Sequence, residues 1–306
     1  MVEYLIVLNK DEDSISFVDI KKGEEVKKID TDHNPHEVVV TKDGKKTYVT
    51  CSLGNTIDVI DNERLEIVKR ITHEDFNFPH GLDLVKEDRK LYVASTYSEK
   101  IFIIDTKTDE IEKVFPTFQG LSHMVEPSPD RKTLYVPNIG SDNVTVIDVE
   151  KEEITGHFPV GKGPEGLACS KDGKYVYVAN QEDNTLYVVN RETLKPDFKR
   201  RVGDCPIRIV FSPDGRYALI PNRFSRDVSV IDTKHRMKGK EVPWEIKRIP
   251  IGIWPGGVCF NESGSTAFVA NNKTNDISFI DMNTLEEIKR VKVGVHPDGM
   301  AYLKKG

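Results

Sequence analysis

Apolar and polar positions along this chain fall into a pattern that recurs. An apolar run opens with proline or serine and one variable residue, passes a polar turn, and continues into a second apolar run. Six segments share this outline: "NPHEVVVTKDGKKTYVT", "FPHGLDLVKEDRKLYVAS", "LSHMVEPSPDRKTLYVPN", "GPEGLACSKDGKYVYVAN", "CPIRIVFSPDGRYALIPN" and "WPGGVCFNESGSTAFVAN". A seventh, "HPDGMAYLKKG", ends the chain, and its continuation is the opening "EYLIVLNKDEDSISFVDI". Each unit adds a third run ending near "VID" and a fourth such as "EIVKRI". The runs are short, alternating, and rich in Val, Ile, Tyr and Thr, which suits half-buried strands. "KDGK" and "PDGR" are tight-turn sequences, because Asp and Gly tolerate left-handed backbone.

The period is about 42–44 residues, stretched once to about 49, the size of a four-stranded propeller blade. The pattern predicts an all-β chain: a seven-bladed β-propeller with four antiparallel strands per blade, one domain over residues 1–306. The last blade is expected to close on both termini. The C-terminal segment supplies its inner strand, and residues near 2–8, 14–19 and 25–30 supply the other three. Closure removes the open edge a sheet array would present.

Composition changes this picture in a few places. The net charge is −6, with basic residues scattered among acids, which argues against a nucleic-acid-binding face. No apolar run has the length of a membrane span, and "MVEYLIVLN" is too short for a leader peptide. Cys51, Cys169, Cys205 and Cys259 are far apart and read as core thiols of a reducing compartment. The expected location is cytoplasmic, or exported if a leader has been removed. Charged residues make up 31%, and glutamine occurs only at 119 and 181, a balance that suits a heat-tolerant source.

The segments "YVAN", "YVPN", "SPDG" and the trailing "VID" resemble the YVTN-type propeller repeats. They are also similar to the haem-d1 propeller of cytochrome cd1 and to lactonase-like propellers. The resemblance spans essentially the whole chain. It implies the architecture and says little about activity, since this scaffold hosts enzymes, binding proteins and surface proteins. The long additional segments that carry haem ligands in the d1 proteins are missing here.

The variable residue after the proline opens the innermost strand of each blade and is expected at one mouth of the central channel. Round the ring it reads His36, His80, His123, Glu165, Ile207, Gly256 and Asp298. Imidazole and carboxylate are ligands for zinc, copper and iron. The leading expectation is therefore a divalent or redox metal held by His36, His80, His123 and Glu165, acting on a small molecule. The chemistry would be redox at copper or iron, or Lewis-acid lyase or hydrolase chemistry. Glu165 doubles as candidate general base, and Asp298 and Arg208 as substrate-positioning groups. Arg208 has a second reading, as the ion-pair partner of Asp298 or Glu165. Two rivals stand beside the metalloenzyme: a non-catalytic platform for a ligand or protein partner, and a lactonase-like hydrolase.

The second strands end at Asn9, Cys51, Ser95, Asn138, Asn180, Asn222 and Asn271, which read as loop caps or as amides orienting the imidazoles. Phe76, Phe78, Phe118 and Trp254 precede the column and read as a pocket rim or as wedges between blades. The segment 233–248 lengthens one blade and is expected on the opposite face, as a possible partner contact. Phosphate-loop, nucleophile-elbow and HExxH motifs are absent from the sequence.

Overall fold

A computed structural model describes residues 2–237 and 240–305. Seven four-stranded antiparallel sheets follow one another round an axis, each ordered from inner to outer strand as the chain runs. Blade two, for example, comprises Pro35–Val40, Lys46–Cys51, Thr56–Asp61 and Glu66–Thr72. The first blade is the composite one. Its inner strand is Pro297–Lys305, paired with Val2–Asn9, followed by Ser14–Asp19 and Glu24–Asp30. The expected split closure is what forms, within a residue or so at each boundary.

The core is seven separate apolar layers, one between each pair of neighbouring blades. Tyr48, Leu82 and Phe102 fill the layer between blades two and three. Leu5, Phe268 and Ile277 fill the layer joining blade seven to the composite blade. The second and third strands therefore bury both faces, and their interior positions are almost all buried. The fourth strands carry the alternating exposed pattern of an outer edge, as in Glu66–Thr72.

Blade six departs from the repeat. Between its third strand, Asp227–Asp232, and its fourth, Trp244–Pro250, the chain makes a small hairpin pairing Arg236–Met237 with Lys240–Glu241. As expected, this excursion leaves the face opposite the variable column. Lys238 and Gly239 of the segment lie outside the described residues. Among the described residues, no helix is long and apolar enough to cross a membrane.

Candidate functional site at the channel mouth

Two backbone features place the variable column. First, the register of the inner strand slips at that residue. Pro35 opposes Cys51 while Glu37 opposes Thr50, so His36 is the extra residue of a β-bulge. The same slip falls at His80–Gly81, Glu165, Gly256–Gly257 and Asp298–Gly299. A bulge re-aims its side chain, here towards the axis. Second, the residue before each proline, or its equivalent, has left-handed backbone: Asn34, Phe78, Leu121, Gly163, Cys205, Trp254 and His296. That conformation is costly for bulky residues such as Phe and Trp. It turns the chain sharply from the loop into the inner strand.

The next position down the bore alternates in size. Gly81, Gly166, Gly257 and Gly299 let adjacent inner strands touch; a Cβ on Gly257 would lie 2.1 Å from the Asp298 carbonyl oxygen. The other three blades place Glu37, Met124 and Arg208 there. These side chains meet across the axis, where the Arg208 guanidinium donates to the Glu37 carboxylate and lies against the Met124 sulfur. Glu37 and Arg208 are both buried, and their pair forms a bar across the bore. Beneath it a cavity of about 130 Å³ is lined by Glu37, Met124, Glu126, Arg208 and Met300.

Above the bar the three imidazoles are brought together as the column implies, but ring against ring. His80 stacks on His123 with centroids 3.7 Å apart and planes at 24°, and His36 leans on His80 at 4.3 Å. Phe78 stacks on the outer side of His80. His80 is 2% exposed, and its Nδ1 is buried without a partner. The Thr96 hydroxyl lies 3.2 Å from His123 Nδ1. Among the described residues no group of three or more His, Cys, Asp or Glu is arranged to hold a metal ion. A metal needs nitrogens converging on one point; face-to-face stacking spends that freedom on ring contact.

His36 is the member that reaches the charged part of the mouth. Its Nε2 lies 3.5 Å from the Asp298 carboxylate, which Lys10 pairs at 3.1 Å. Its Nδ1 lies 3.4 Å from the Ser52 hydroxyl. The serine–histidine–aspartate order invites comparison with a nucleophilic triad, but Ser52 is fully buried and donates its proton to the Pro79 carbonyl. It cannot meet a substrate carbon. Across the mouth, Arg223 lies 3.7 Å from Glu165. Lys10, Arg223, Trp254, Asn272 and Asp298 line a pit of about 60 Å³ between these groups.

Burial sets the protonation states. It pushes His36, His80 and His123 below the usual imidazole range, His123 to about 3, with neighbouring imidazoles adding to the effect on His80 and His123. All three are neutral at pH 7. Burial lifts Glu165 to about 7 against the pull of Arg223. Asp298 goes the other way: Lys10, His36 and Arg208 outweigh its burial and hold it well below the carboxylate range. The mouth therefore offers a neutral base beside a fixed carboxylate, and a carboxyl group poised between acid and base.

Other sequence expectations divide. Arg208 pairs with Glu37, not with Asp298 or Glu165, and sits beneath the mouth. Phe76 is core, packed on Phe102, whereas Phe78 and Trp254 flank the opening and Phe118 stands exposed. The column asparagines cap loops: Asn271 donates to Asp276 and Ser278 and accepts from the Gly252 amide. Cys51 is a buried thiol with its proton held by burial and by Asp58. Lys10, Ser52, Thr96, Arg223 and Asn272 were missed because they stand one position beyond that asparagine column. In a strand, one position is the difference between facing the bore and facing the neighbouring loop.

The lactonase, 7-bladed beta-propeller family model matches residues 119–294. The chain belongs to this family. Among solved structures it is similar to the periplasmic gluconolactonase PpgL of Pseudomonas aeruginosa, at 20% identity over 99% of both chains with a TM-score of 0.80. A putative 6-phosphogluconolactonase of Bacteroides fragilis gives 19% identity over 99% of this chain and 98% of that one, TM-score 0.81. The dihydro-haem d1 dehydrogenase NirN gives 14% identity over 97% of this chain and 74% of that one, TM-score 0.68. At these identities the likeness is one of fold. No curated protein matches the chain. Of the resemblances read from the repeats, the lactonase-like one is carried by a family model, and the haem-d1 one by a structural neighbour.

Proposed function

We propose that this protein hydrolyses a lactone at the channel mouth. The observation that supports it best is the pairing of His36 with Asp298 opposite Glu165 with Arg223, in a chain of a lactonase family. Lactone hydrolysis needs a base for water, positive charge for the developing oxyanion and an acid for the leaving alkoxide. Neutral His36 takes a proton from water as the water oxygen bonds to the lactone carbonyl carbon. Lys10 and Arg223 face the oxygen that gains charge. Protonated Glu165 gives its proton to the ring oxygen as the ring carbon–oxygen bond breaks. The proton on His36 then returns to Glu165 through solvent, and a hydroxy acid leaves. Asp298 holds the imidazole and stabilises its charged form.

The test is turnover of a panel of γ- and δ-lactones, glucono-δ-lactone among them, measured against buffer hydrolysis. His36→Asn and Glu165→Gln are each expected to lower kcat/KM about 100-fold or more, while Phe118→Ala leaves it unchanged. Parent protein with no rate above buffer on any lactone would overturn the reading. The same assay in EDTA tests the metal expectation separately.

A further inference from the structure

The excursion of blade six opens a second cavity, far from the mouth. In the other blades the turn between third and fourth strands places one left-handed residue at its end: Gly23, Leu65, Asp109, Glu152, Leu194 and Leu285. Except at Gly23, where Lys289 of the preceding blade fills the space, its side chain reaches back onto the preceding blade. Leu65 is buried against Ile6 and Phe17, and Leu194 and Leu285 pack into the layers holding Tyr135 and Leu219. Asp109 accepts a hydrogen bond of 2.6 Å from the Tyr48 hydroxyl. In blade six this turn is opened by residues 233–243, and none of the described residues there takes the plugging position over blade five.

What remains is a cavity of about 320 Å³ between blades five and six, bordered by the excursion. That volume falls within the range of small-molecule sites. Its apolar wall is Tyr175, Tyr177, Val188 and Phe198, which belong to one packed layer. Tyr177 is 2% exposed, yet its hydroxyl has no protein partner among the described residues. Of the equivalent hydroxyls, those of Tyr48 and Tyr135 bond to Asp109 and Arg191 of the next blade, and that of Tyr92 is buried without a partner among the described residues.

Four carboxylates and three lysines border the cavity. All four lining carboxylates are engaged. Asp172 and Asp214 accept from the Ser170 and Ser212 hydroxyls and from turn amides. Asp197 accepts from Asn190, and Glu241 pairs with Arg236. Of the lining lysines, Lys171 and Lys234 have no carboxylate partner among the described residues. Aromatic walls, one phenol without a protein partner among the described residues and two lysines without a carboxylate partner fit a small planar molecule with a single acidic group.

We propose that this cavity is a second ligand site, for small aromatic anions such as aryl carboxylates or sulfonates. It is independent of the mouth and of the lactone reading. The probe is 8-anilinonaphthalene-1-sulfonate, titrated by fluorescence against the parent protein and displaced with salicylate. One saturable site is expected. The double charge reversal Lys171→Glu with Lys234→Glu, on exposed side chains, is expected to weaken it about 10-fold or more. A graft replacing residues 233–243 by the four-residue turn Met282–Leu285 supplies the missing leucine and is expected to abolish it. If the graft does not fold, the charge reversal alone decides. Absence of a saturable site in the parent, or unchanged affinity in the charge-reversed protein, overturns the proposal.

Discussion

Glu165 shows how one buried side chain links the mouth to stability. Its carboxyl titrates at about 7 in the fold, against 4.5 when free, chiefly because burial disfavours the charge. Between those values the folded chain holds more protons than the unfolded one, so this group's contribution falls as pH rises from 4.5 to 7 and is level outside that window. The span corresponds to at most about 3 kcal/mol. Glu165→Gln has no such charge to bury. Its stability relative to the parent, from urea unfolding, should rise across pH 4.5–7 and then hold constant. The buried histidines act with the opposite sign: they are protonated more readily when unfolded, so stability falls as pH drops below 6.5. Comparing variant with parent cancels that trend. A parallel pH dependence in both proteins would show that Glu165 is ionised in the fold throughout.

Among elements, the inner strands carry the positional information. Their variable column was legible because a repeat aligned on its turns lets one residue per blade be read as a ring. That His36 and His80 gather there follows from the bulge common to their strands. What the column could not reveal was the direction of the rings. Stacking of His80 on His123 depends on Phe78 closing from outside and on Glu37 occupying the space below, two contacts from different parts of the repeat. The charged partners Lys10 and Arg223 were hidden for a simpler reason. They follow the conspicuous asparagines by one residue, and asparagine, with its evident capping role, drew the reading to the wrong face of the strand. The glycines one step down the bore have a testable role. Gly257→Ala would drive a methyl into the Asp298 carbonyl and should cost about 1–3 kcal/mol by denaturant unfolding. Gly156→Ala, with open space around its Cβ position, should change stability little or raise it slightly. Equal effects would remove close strand approach as the reason for glycine in the bore.

For the whole molecule, closure rests on the pairing of Pro297–Lys305 with Val2–Asn9. A chain ending at His296 would lose an inner strand and with it Asp298, Met300 and Leu303, of which Leu303 is 1% exposed. It would also leave Val2–Asn9 as an unpaired edge. Such a truncation should aggregate or sediment as higher oligomers, a failure that edge-strand exposure makes specific. If it remained a folded monomer with parental melting behaviour, the terminal clasp would not be what holds the ring. The seven layers of core follow from the seven blades the repeat count predicts, since each blade needs a neighbour on both sides. The opened turn of blade six was visible only as extra length; which neighbour it uncovers required the three-dimensional order of the blades.

The buried Glu37–Arg208 contact has a consequence for traffic. With the axle stopped just under the imidazoles, the pit at the mouth opens to one side of the ring. Under the proposed lactone hydrolysis, a hydroxy acid formed there would have to back out along the route its precursor used, past Trp254 and Phe78. The two cannot pass one another, so accumulated product would hold the seat against the next molecule and slow the cycle as a simple competitor.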